Sequence, residues 1–109
     1  MKGNAKITST RLGYEDHGIL TCHLLLSGDG AGQAFGGYRL DAPKDGDSIM
    51  GTFWVKRILE TVGVRNWEDL KGKYVRVDGE EHGDIFGIGH ITENKWFHPK
   101  REIKAKGLK

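Results

Sequence analysis

Side chains that could stack on a ring and hold a phosphate are concentrated in one glycine-rich stretch, residues 27–41, SGDGAGQAFGGYRLD. Gly30, Gly32, Gly36 and Gly37 let a ligand or a second backbone come close. Phe35 and Tyr38 offer aromatic faces, Gln33 offers hydrogen bonds and Arg39 a cation, and Lys56 and Arg57 add two cations that a fold could bring alongside. Aromatic and cationic groups together stack a base and neutralise a phosphate. These ten residues are the expected ligand site. The letters exclude the familiar phosphate loops: a dinucleotide fingerprint needs glycine where Gln33 stands, and a P-loop needs lysine where Tyr38 stands. Both also need a helix directly afterwards, and the pattern here is that of a strand. What remains is a nest of backbone N–H groups for an anion, a homo-oligomer contact, or a glycine hairpin with no ligand at all.

Other chemistry is sparse. Cys22 is the only cysteine and lies among Leu20, Leu24 and Leu26, which excludes an internal disulfide and reads as a structural thiol. The five histidines, at 17, 23, 82, 90 and 98, show no metal-ligand spacing. Asp41, Asp45 and Asp47 lack the glycine and the closing glutamate of a calcium loop. No cofactor is expected, and neither a carboxylate pair nor a Ser/His/Asp order points to catalysis. The sequence therefore predicts a binding protein and not an enzyme.

The net charge of +2 is uneven: residues 1–94 carry −3, while Lys95 to the end carries +5. Residues 100–109 read as a basic C-terminal tail, able to track phosphates weakly or simply solvated. No run of some eighteen apolar residues occurs, so no membrane partner and a cytoplasmic location are expected.

The elements that must position these groups follow from periodicity. Alternation predicts strands over 5–14, 19–27 and 32–40, with Leu20, Cys22, Leu24 and Leu26 on the core face of the second. In the first strand Ile7 should share a face with Ser9 and Arg11, and in the third Ala34 should share one with Gly36, Tyr38 and Leu40. Two glycines inside the third strand predict a bulge or a close backbone approach. Asp47 or Ser48 should cap a helix running to about Val62, with Met50, Trp54 and Ile58 on its buried stripe and Lys56, Arg57 and Glu60 outside. Gly63 fits the left-handed residue that ends it. A capped turn over 66–70, strands over 73–78 and 84–92, and a fold-back of Trp96 and Phe97 complete the chain. The prediction is a single α+β domain over residues 1–99, an antiparallel five-stranded sheet (β3αβ2) with one principal helix packed across it.

The runs GQAFGGYRLD at 32–41, ILETVGV at 58–64, WEDLKGKYVRV at 67–77 and KWFHP at 95–99 resemble a group of small proteins encoded by phages and prophages, over roughly residues 18–99. No catalytic or binding residue carries over. The resemblance implies a protein that acts by binding, commonly against host defences. One expectation is sequestration of a nucleotide-like signal molecule in the glycine-rich site, with homo-oligomer formation. Another is an anti-CRISPR-like inhibitor of a host defence protein or nucleoprotein complex. A third is a single-stranded nucleic-acid-binding protein that uses the tail and the aromatic residues.

Overall fold

The structure is a computed structural model that describes residues 2–28, 31–40, 49–80 and 84–106, the side chains at 2, 31, 38, 49 and 106 excepted. Gly30, Asp41, Asp45, His82 and the expected helix cap at Asp47 or Ser48 lie outside the described residues. The strands are β1 (Lys2–Tyr14), β2 (Leu20–Gly28), β3 (Ala31–Arg39), β4 (Tyr74–Gly79), β5 (Ile85–His90) and β6 (Trp96–Phe97). The helices are α1 (Ile49–Val62) and α2 (Pro99–Lys106), and a single 3₁₀ turn spans Trp67–Asp69. The fold class is α+β, as expected. Among the described residues the sheet has six antiparallel strands in the order β3-β2-β1-β4-β5-β6 and there are two helices, where five strands and one principal helix were expected. The added strand is two residues long, too short to show a period. The added helix occupies most of the stretch expected as a tail.

β1 serves two partners. Lys2–Lys6 pairs with β4, and Ala5–Tyr14 pairs with β2. A bulge between Ile7 and Ser9 lets the strand bend from one to the other. It also swaps faces: Ile7 is fully buried, while Ser9 and Arg11 lie opposite Leu25 and His23 on the outer side. The expected sharing of one face by Ile7 and Arg11 is thereby corrected. The sheet coils until β3 comes near β5, although the two are not hydrogen-bonded neighbours. Aromatic rings fill the gap between them. The Phe97 centroid lies 6.0 Å from Phe35, 5.2 Å from Trp54 and 5.7 Å from Phe53, mostly edge to face. Truncating one such buried ring costs about 3–5 kcal/mol.

α1 buries Met50, Trp54, Ile58 and Val62, the stripe that its 3.6-residue spacing predicts. It stops at Gly63, whose φ of +87° a β-carbon would oppose. The N–H groups of Gly63 and Val64 both donate to the Leu59 carbonyl, at 2.9 and 3.1 Å, which satisfies the end of the helix. Two further bulges break the simple alternation. Between Thr21 and His23 the β2–β3 register shifts, so Phe35 and Leu40 both reach the core despite their odd separation. Between Asp78 and Gly79 the β4–β5 register shifts around Phe86, leaving it 44% exposed while Ile85 and Ile88 turn inward. Strict alternation over 84–92 would set Phe86 and Ile88 on one face, and the bulge separates them.

Candidate nucleic-acid interface

Of the ten residues expected as a site, the structure turns Phe35 and Arg57 to contacts within the protein. Phe35 is 1% exposed and packs against Trp54 and Phe97, so its ring belongs to the core and has no face for a ligand. Arg57 points inward as well, against the expectation that it lies outside. Its Nε donates to Glu102 Oε1 at 2.7 Å, its guanidinium donates to the Trp96 carbonyl at 2.8 Å, and its Cζ stands 5.3 Å from the Phe97 centroid. The hydrogen bond to Glu102 raises its pKa above the ordinary arginine value, so this cation is committed to holding α2. Phe35 and Arg57 do meet at one ring, but inside the protein. Lys56 stays exposed on α1.

The glycines of β3 serve the backbone. A β-carbon on Gly36, at φ +103°, would stand 2.5 Å from the Cys22 carbonyl oxygen. That is the bulge with close approach that the paired glycines predict. Gly37, at φ +86°, has open space beside it, and Gly32 lies opposite Ser27. Gln33 is half-buried opposite Leu26, and Arg39 is exposed opposite Thr21. The side chain of Tyr38 and residue Gly30 are not described.

The structure instead assembles an outward face on β1, β2 and β3. Its rows follow the register: Lys6 lies opposite Ser27, Ser9 opposite Leu25 and Ala34, Arg11 opposite His23 and Gly36, and Gly13 opposite Thr21 and Arg39. Lys6, Arg11 and Arg39 are exposed, Leu25 is 42% exposed, and most of their neighbours are small. Arg11 donates to the Tyr14 carbonyl at 2.6 Å, which sets its position along the strand. All fifteen acidic residues of the chain lie outside these three strands, which contain Lys2, Lys6, Arg11 and Arg39. On the next strand, Tyr74 is 58% exposed opposite Lys6, whose Nζ is 6.0 Å from the ring centroid. The face therefore offers a cationic track with a stacking ring at its β4 border.

Lys6, Arg11, Leu25 and Tyr74 lie in no local motif, because strand pairing far along the chain is what brings them to one surface. The exclusion of acids from three strand-length runs was a readable signal, and it marks the face better. Within the stretch expected as a basic tail, Lys100, Arg101 and Lys104 lie on α2, which Glu102 fixes to Arg57 and to the His98 backbone N–H at 3.0 Å. Cys22 is buried at 1% exposure, and the loss of solvent raises its thiol to about 12, which removes it from nucleophilic chemistry at neutral pH. Among the described residues no three His, Cys, Asp or Glu side chains are placed to hold a metal ion, and no helix is long and apolar enough to cross a membrane. No family model, no curated protein and no solved structure matches the chain.

Proposed function

We propose that the protein binds single-stranded nucleic acid across the outer face of β1, β2 and β3. The observation that carries this reading is the absence of every acidic side chain from three adjacent strands that expose Lys6, Arg11 and Arg39, in a chain whose body is otherwise net negative. A polyanion approaching this face meets cations and small side chains that let it lie close. A fold-level analogy supports the same face. Five strands that coil until β3 nears β5, with a helix inserted between β3 and β4, make a partly open barrel of the OB type, in which the middle strands carry oligonucleotides. A single strand suits the face better than a duplex, because Tyr74 and Leu25 are platforms for unpaired bases.

The test is fluorescence anisotropy with a labelled single-stranded oligonucleotide over a salt series. Three phosphate contacts give a log–log slope of about −2 for a single strand. Arg11→Glu together with Lys6→Glu should weaken binding at least about tenfold and leave the melting temperature in place, since both side chains are exposed. Charge reversal on α2 at Lys100 and Lys104 should change affinity little. Deletion of α2 is the poorer control, because it strips Arg57 of its Glu102 partner. Failure of every single-stranded oligonucleotide to bind at low salt would sink the reading, as would equal binding by the charge-reversed protein.

A further inference from the structure

We propose that an open cleft beside Tyr74 takes one unpaired nucleobase of the bound strand; this rests on the reading of the β1–β3 face as a single-strand track. The cleft measures about 610 Å³ and opens where the end of α1, the start of β4 and the end of β5 meet. That volume lies in the range of small-molecule sites. Val62, Val64 and Ile91 supply an apolar lining, and the half-exposed Tyr74 ring supplies a stacking surface. Asn4 brings an amide that both donates and accepts, which matches the edge of a base. Gly72, at φ +93°, adds no side chain to the space, and nothing would meet a β-carbon there within 4 Å. The opening is therefore wide enough for a planar ring.

Charge fixes which end of a nucleotide goes where. Lys73 lines the cleft and Lys6 stands 6.0 Å from the Tyr74 centroid, so the phosphate belongs on the strand side. The C-terminal end of α1 carries negative partial charge and repels it from the other side. Among the described residues no carboxylate lines the cleft. The nearby Glu93 is held at 3.2 Å by His90 Nε2 and at 3.4 Å by Lys95. His90 is fixed as well: its Nδ1 accepts the backbone N–H groups of Thr92 and Glu93 at 3.1 and 3.0 Å, which places the ring proton on Nε2. The wall it forms is rigid. Lys6 lies on the outer face opposite Tyr74, and Tyr74 lines the cleft, so a strand lying on the face passes its mouth.

The experiment places 2-aminopurine at single positions of an oligothymidylate and compares the wild type with Tyr74→Ala, Tyr74→Phe and Arg11→Glu. One position should quench on binding to the wild type. Tyr74→Ala should abolish that quench and weaken binding about tenfold with an unchanged salt slope, and Tyr74→Phe should restore both. If Tyr74→Ala binds as the wild type does while Arg11→Glu binds weakly, the cleft is overturned and the track stands. A separate arm titrates deoxyadenosine monophosphate at millimolar concentration and follows backbone amide shifts. Shifts confined to Asn4, Gly63, Gly72 and Tyr74 support the cleft even where no oligonucleotide binds and the track has failed. Absence of those shifts, with no positional quench, overturns the cleft.

Discussion

The two halves of the sheet use glycine for opposite ends. On β5, Gly87 and Gly89 make room for the protein's own rings: a β-carbon on Gly89 would stand 2.7 Å from the Trp96 ring, and one on Gly87 would stand 2.5 Å from the His98 ring. Those two rings lie with centroids 5.5 Å apart and planes within 21°. Arg76 covers Trp96 at 4.8 Å, and His98 Nε2 bonds Asp78 at 2.9 Å. The outer surface there is already occupied. On β3, Gly36 admits only the neighbouring backbone, and among the described residues nothing would stand within 4 Å of a β-carbon on Gly37 or on Gly13 of β1. A sheet surface whose small residues are covered by the chain's own rings is finished packing; one left bare, with cations around it, is open to a foreign ring and a foreign phosphate.

The sharpest way to break this comparison is Gly36→Val. Positive φ and the approach to Cys22 together should cost about 3 kcal/mol or more, read as a fall in chemical-denaturation midpoint. Gly37→Val carries only the φ penalty, about 1–2 kcal/mol. Equal losses would mean that the close approach in β3 is not the reason for its glycine. Gly89→Ala should cost about 2 kcal/mol by forcing the Trp96 ring off the sheet, and a neutral result would remove the contrast between the halves. Arg57→Ala removes the donor to Glu102 Oε1 and to the Trp96 carbonyl and should cost about 2 kcal/mol, with protease cleavage inside α2 as a second readout.

Smaller effects sharpen the picture. Burial favours the neutral thiol of Cys22, so the folded chain keeps that proton to about pH 12 while the unfolded chain releases it near the ordinary thiol value of 9.0. The folded pKa is the higher one; its stabilising contribution is full below pH 9 and is lost as pH rises toward 12. Stability measured across that window should fall more steeply for the wild type than for Cys22→Ala. Smallest in stability, and largest in binding, is Arg11→Glu: a change within about 0.5 kcal/mol in folding beside a marked loss of oligonucleotide affinity.

Much of the architecture was legible because it depends on local pattern. The Met50–Trp54–Ile58 stripe, the Gly63 helix stop and the Leu20–Leu26 alternation each state their own geometry within a few residues. The faces of β1, β3 and β5 were misassigned wherever a bulge inserted one residue, because a single extra residue inverts everything beyond it. Such insertions, at Thr8, between Gly36 and Arg39, and at Phe86, are set by the partner strand, and the partner is not written in the local letters.

By itself the sequence determined the fold class, the run of elements through β5 and the exclusion of acids from three strands, since propensity, period and charge are properties of the chain in order. Only the tertiary structure decided that Phe35 and Arg57 turn inward, that α2 is tied down through Glu102, and that Lys6, Arg11 and Tyr74 share one surface. Those outcomes depend on which strand lies beside which, and β1 meets β4 across some seventy residues of chain. Long-range pairing chose the face, and the glycines that first drew notice supplied the bend that makes it possible.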